Sequence, residues 1–318
     1  MDAEQNDTAM TEAEAPLVIG VTGHRDLVPE DVPGIEAAVR ELLTDLARRF
    51  PDRPLQVMSP LAEGADRIIA LVAEVLGIEL VVPLPMPEDL YAQDFESSQS
   101  WAEFGRLLGY AHESTTLPLA PGGTEAGISD YGTERNRQYA EVGAWIAARC
   151  DILVAVWDGK MLDNLGGTGH VVQFRRDGDM PDYVPHASGR PDRSIVFHIA
   201  CSRNRADGKP AGGLAPLQTR WLGANGEAHE RFPAAWAEHL AAQAQVDEET
   251  VDATANPHPR VSGYRLPLVI AVTGHRDLCS GEMPEIRKRV RDLFVGLRER
   301  YPTRKLRLLS PLAEGADR

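Results

Sequence analysis

Three short clusters in this sequence combine residue types suited to holding a phosphorylated ligand. The first is Gly23, His24, Arg25 and Asp26. A glycine lets the backbone approach a ligand, and the Arg25 guanidinium is a fork that matches phosphate oxygens. The same residues would also make an ordinary turn in which His24 and Asp26 satisfy nearby backbone. The second cluster runs Ser59, Pro60, Leu61, Ala62, Glu63, Gly64, Ala65 and Asp66. Ser59 and the free amides of a helix start form an anion seat, and Glu63 has the chemistry to accept ribose hydroxyls or to act as a base. Ser59 and Asp66 are equally residues that start helices, and Asp66 reads as the more structural of the set. The third is Trp157, Asp158 and Gly159, followed by Gly166, Gly167 and Thr168. Glycines that open a helix turn its amides and the positive end of its dipole towards a phosphate, and Trp157 offers a ring for stacking on a base.

These clusters need strands to carry them. Residues 17–22, 55–58, 79–84, 151–157 and 194–200 are short apolar runs rich in β-branched residues, as in strands buried on both faces. Helical patterns separate them, at 33–49 with Asp31 as its cap, 64–76, 98–112, 133–149 and 168–175. Five strands alternating with helices predict an α/β, Rossmann-like doubly wound parallel sheet with helices on both faces. All three clusters then fall beyond the carboxyl ends of strands, where such sheets bind ligands. Residues 203–231 read as loop, 233–246 as an alanine-rich helix, and the acidic stretch after it as a linker.

The chain repeats itself. Residues 16–67 align without a gap onto 267–318, and 30 of the 52 positions are identical. In the helix between the two strands the identities are mostly apolar and mark packing. By contrast, 22–27 and 59–67 are unbroken identities that include polar residues, which packing alone does not demand. The second-copy equivalents of the site residues are Gly274, His275, Arg276 and Ser310. The expected organisation is an acidic tail at 1–15, a ligand domain at 16–202, a loop, helix and linker at 203–262, and the first βαβ half of a second copy at 263–318. That second copy stops as its next helix should begin, so the chain reads as a piece of a longer protein.

With 318 residues, 33 Lys and Arg against 48 Asp and Glu, and a net charge of −15, the chain has the composition of a folded acidic protein of about two domains. Such a charge repels polyphosphate over the whole surface, so nucleic acid is not expected as a partner. No apolar run approaches the ~18 residues of a membrane span. Cys150, Cys201 and Cys279 are far apart and form no metal or redox motif, so no metal and no cofactor are expected, and the cytoplasm is the expected compartment.

The sequence has no GxxxxGK[ST] and no GxGxxG after its first strand, which argues against a P-loop NTPase and an ordinary dinucleotide dehydrogenase. Instead VTGHR, then SPLAEGAD, then VWDG followed by GGT resemble, in that order, the SLOG superfamily. This is the Rossmann-like group that includes the Smf/DprA, LOG and YpsA-like proteins. The resemblance covers 16–200 and begins again at 267. It implies a pocket for a nucleotide-derived small molecule, a sensing role in tandem copies, and a homo-oligomer. It also implies an alternative, an N-glycosidase or phosphoribohydrolase releasing a base from a nucleotide or NAD-like substrate, with Glu63 or Asp158 as its carboxylate. Against that, the family's enzymes carry a Glu three residues after the Thr of the glycine loop, where this chain has Val171 beside His170.

Overall fold

The computed structural model describes residues 15–161, 165–185, 194–243, 268–271, 283–300 and 306–309. It divides into two compact units, Met1–Gly263 and Tyr264–Arg318.

The first unit opens with β1 (Leu17–Gly23), α1 (Val32–Arg49), β2 (Leu55–Met58), α2 (Ala65–Val75) and β3 (Glu79–Leu84). Next come α3 (Glu88–Tyr91), α4 (Ser98–Tyr110), β4 (Glu113–Thr116), α5 (Glu125–Ser129), α6 (Thr133–Arg149) and β5 (Ile152–Trp157). It closes with α7 (Thr168–Asp177), β6 (Val196–Ala200), β7 (Thr219–Leu222), β8 (Ala228–His229) and α8 (Ala234–Gln243). The sheet order is β4-β3-β2-β1-β5-β6-β7-β8. Every pairing from β4 to β6 is parallel. β1 and β5 lie side by side although six helices and three strands separate them in sequence. The chain order reverses across that pair, which is where an open α/β sheet forms its ligand crevice.

The apolar runs explain the layers. Leu17, Ile19 and Val21 of β1 point into one core with Ile35, Val39, Leu43 and Leu46 of α1 and Ile69 of α2. Gly20, on the other face, lies against Ile146 and Cys150 at the end of α6. Helices therefore cover both faces, as the alternating pattern predicts.

The expected five-strand parallel sheet is corrected to a mixed sheet of eight strands. β4 reads ESTT and half of it is exposed, so it has no apolar run to announce it, as is common at an edge. β7 and β8 pair antiparallel and extend the sheet beyond β6. The stretch 203–231, read as loop, thus carries two strands, and Leu240 of α8 joins the same core. Asp31 does not cap α1 with its side chain; its Oδ2 accepts the Ser202 amide at 2.9 Å instead. Among the described residues no helix is long and apolar enough to cross a membrane. Cys150 and Cys201 are buried free thiols, and burial pushes Cys201 up to about 12.

The second unit pairs β9 (Leu268–Ala271) parallel to β10 (Leu306–Leu309), with α9 (Met283–Arg300) between them. Leu268 is opposite Leu306 as Leu17 is opposite Leu55, so the register of β1 with β2 recurs at the repeat distance. Val290 and Leu293 of α9 are 46% and 54% exposed, where the matching Val39 and Leu42 of α1 are buried. Gly274, His275, Arg276 and Ser310 lie outside the described residues, as does Cys279.

Candidate functional site

A cavity of about 550 Å³ opens beyond the carboxyl ends of β1 and β5. It is lined by Gly23, His24 and Arg25 after β1, by Asp66 at the start of α2, and by Gly166, Gly167 and Thr168 at the start of α7. The far wall is one stripe of α6, Asn136, Tyr139, Gly143 and Ile146, whose spacing of three to four residues keeps them on one helix face.

The glycine loop seats itself on that wall. Gly166 has φ +78°, and a Cβ there would lie 2.8 Å from the Ala140 amide nitrogen and 2.9 Å from the Asn136 carbonyl oxygen. Only glycine meets both conditions. No side chain caps α7 at Gly167, so its first-turn amides have no partner within the helix, and Gly167, Thr168 and Gly169 line the cavity.

The β1 and α2 clusters are one structure. The Ala65 amide donates to the His24 carbonyl at 3.1 Å, and Gly64, at φ +79°, is crowded by the His24 and Arg25 backbone. Arg25 donates through Nη2 to Glu63 Oε2 at 3.0 Å and to the Asp94 carbonyl at 2.6 Å. Glu63 also accepts from the Glu96 amide at 2.9 Å and from Ser100 Oγ. Burial raises the Glu63 carboxyl, but the Ser100, Glu96 and Arg25 contacts outweigh it and hold Glu63 below its ordinary range. It is an anchor for Arg25 with little basicity to spare, and it does not line the cavity.

Of the other predicted residues, Ser59 and Gly64 are likewise absent from the cavity wall. Ser59 Oγ donates to the Asp66 carbonyl and accepts from the Leu61 amide, locking the turn. Trp157 is buried, donates to the Lys160 carbonyl at 3.1 Å and packs on His198; the aromatic side chains that do line the cavity are Tyr91 and Tyr139. Asp158 is 0% exposed. Its Oδ1 accepts the Lys160 amide at 3.1 Å and lies 3.0 Å from His24 Nε2, and its Oδ2 lies 3.4 Å from Arg205. Burial, helped by Arg203, lowers the His24 ring against the pull of Asp158, which favours a neutral imidazole on the cavity wall.

Several lining groups carried no signal in the sequence. Lys160 and Arg203 add two cations to Arg25. Arg203 is held by Asp26 Oδ1 at 2.7 Å, and the Asn204 amide donates to the Asp26 carbonyl at 2.7 Å, so the segment after β6 docks on the turn after β1. Asp66 is the other surprise. It is 5% exposed, and burial pushes its carboxyl up to about 7 against the Ala62 amide and the Arg25 and Arg67 charges. Among the described residues no three His, Cys, Asp or Glu side chains converge as a metal site.

No family model matches the chain, and no curated protein matches it. Solved structures do, two of them as follows. DNA processing protein A from Streptococcus pneumoniae is 14% identical over 49% of this chain and 55% of its own, with a TM-score of 0.31. The Helicobacter pylori protein of that name is 16% identical over 46% of this chain and 57% of its own, with a TM-score of 0.28. The chain thus spans little more than half the length of either. The fold is Rossmann-like α/β. The Helicobacter pylori protein is described by its mode of binding single-stranded DNA. The expectation that nucleic acid is not a partner is therefore corrected. Its physical flaw is that −15 is a sum over the whole chain, whereas Arg25, Lys160 and Arg203 gather at one cavity.

Proposed function

We propose that the first unit binds a nucleotide-derived small molecule by its phosphate, as a SLOG-like sensing or regulatory module. The observation that carries this reading is the uncapped start of α7 opening into the same cavity as Arg25, Lys160 and Arg203. Helix dipole, free amides and three cations all select an anion, and the volume suits a nucleoside monophosphate. The repeated register of β9 with β10 supports reading 264–318 as the start of a second such module. Base release by Glu63 or Asp158 is the weaker reading, because both carboxylates are engaged elsewhere and neither lines the cavity.

The test is to incubate the full chain with AMP, ADP-ribose, NAD and a short single-stranded DNA, and to identify by mass spectrometry what is retained and what is changed. An intact retained ligand whose affinity falls at least about tenfold in Arg25→Ala is expected. Unchanged affinity in that variant overturns the phosphate site, and a free base accumulating with time moves the protein to the glycosidase class.

A further inference from the structure

Among the described residues, two polar atoms of this cavity have neither a hydrogen-bond nor an ion-pair partner. Asp66 Oδ1 and the Tyr139 hydroxyl are buried, make no hydrogen bond, and belong to residues that line the cavity. Buried polar atoms are almost always bonded, so two left open in one cavity point to a missing partner. Asp66 does not suit a phosphate, which its ionised form would repel. The same cavity also has apolar lining, with Val142 and Ile146 on α6 and Val171 on α7. Polar groups set between apolar surfaces are what the edge and faces of a planar heterocycle require. A cavity of about 550 Å³ also has room well beyond a phosphate.

We propose that Asp66 and Tyr139 read the base of the bound nucleotide, donating hydrogen bonds to acceptor atoms on its edge while the start of α7 holds the phosphate. This rests on the nucleotide reading above and adds what part of the ligand is recognised. The state of Asp66 fits the role. Burial favours its neutral form, which donates; the charged groups acting on it are Arg25 after β1 and Arg67 on α2, and Tyr91 on α3 is coupled to it. The other titratable groups lining the cavity are His24 and Asp26 after β1, Tyr139 on α6, Lys160 after β5 and Arg203 after β6.

Calorimetry on the full chain with AMP, GMP, CMP and UMP, and with ribose 5-phosphate as the phosphate without a base, tests this. At least one nucleotide should bind about tenfold more tightly than ribose 5-phosphate. Asp66→Ala and the milder Tyr139→Phe should each remove about tenfold for that nucleotide and leave ribose 5-phosphate unchanged. At pH 8, binding of that nucleotide should take up a proton in the wild type and not in Asp66→Ala, read from heats in two buffers. A base preference intact in both folded variants, an equal loss for ribose 5-phosphate, or proton release on binding overturns the proposal. Ribose 5-phosphate bound through Arg25 with no nucleotide preferred sinks the base reading alone. Failure of all five ligands to bind sinks the phosphate site and this inference together.

Discussion

At the scale of single residues, the cavity holds a carboxyl that the fold would be more stable without. The ordinary Asp66 carboxyl ionises near 3.8, and in the folded chain it holds its proton up to about 7. Between those values the folded state binds a proton that the unfolded chain has released. Its favourable contribution is therefore complete below 3.8 and is lost as pH rises through 7. Asp66→Asn, which keeps the shape and cannot ionise, should stabilise the protein at pH 8 by roughly 2–4 kcal/mol more than at pH 4. Urea unfolding of both proteins at the two pH values measures this, and equal differences at both would show that the carboxyl does not titrate in that window. The sequence makes Gly23, His24, Arg25 and the 166–168 loop legible as a group, because glycine and arginine at strand ends declare their chemistry. Asp66 reads as a helix-start residue because its surroundings include groups from elsewhere in the chain, such as Tyr91 of α3. Glu63 misleads for the opposite reason: a carboxylate in a promising motif is absorbed by Arg25, Ser100 and the Glu96 amide.

Among the elements, the joint between the glycine loop and α6 sets the geometry of the anion site. Gly166→Ala adds a methyl against the Ala140 and Asn136 backbone at a positive φ. It should cost about 1–3 kcal/mol and, by lifting the start of α7, weaken phosphate binding. Gly122→Ala is the matched control, with φ +75° and open space around it; it should show the smaller backbone cost and bind phosphate normally. Thermal melts with calorimetry of ribose 5-phosphate separate the two, and identical behaviour would mean that the loop does not depend on its contact with α6. The central strands are legible because burial on both sheet faces writes continuous apolar runs, and so are the longer helices, whereas the short α3 and α5 are not. β4, β7 and β8 are not, since β4 and β8 are the edges of the sheet, β4 reads ESTT with no apolar residue, and β7 and β8 are too short to write an apolar run. That error also hid Arg203, which reaches the cavity only because the segment between β6 and β7 folds back onto Asp26.

For the whole molecule, one buried guanidinium joins distant parts of the chain. Arg53 donates to the carbonyls of Ala15, Pro16 and Leu240 and to Asp151 Oδ2, and Asp151 in turn accepts the Val18 amide at 2.9 Å. It ties β1, β5 and α8 together just before β2 begins. Arg53→Met should destabilise the first unit by about 3–5 kcal/mol, since it strips a buried ion pair of one partner. Denaturant unfolding reads that loss, and a change below about 1 kcal/mol would show the knot to be dispensable. The position recurs as Arg304 in the repeat.

Arg53 and Asp151 sit where β1, β2 and β5 begin, and the cavity sits where β1 and β5 end. One rim of the sheet is committed to holding the chain together and the other to ligand chemistry, with the length of the strands between them. Substitutions that retune the cavity should therefore leave the knot undisturbed. Such a division makes the scaffold evolvable: copies of this domain can diverge at the cavity rim while drawing on the same reserve of stability.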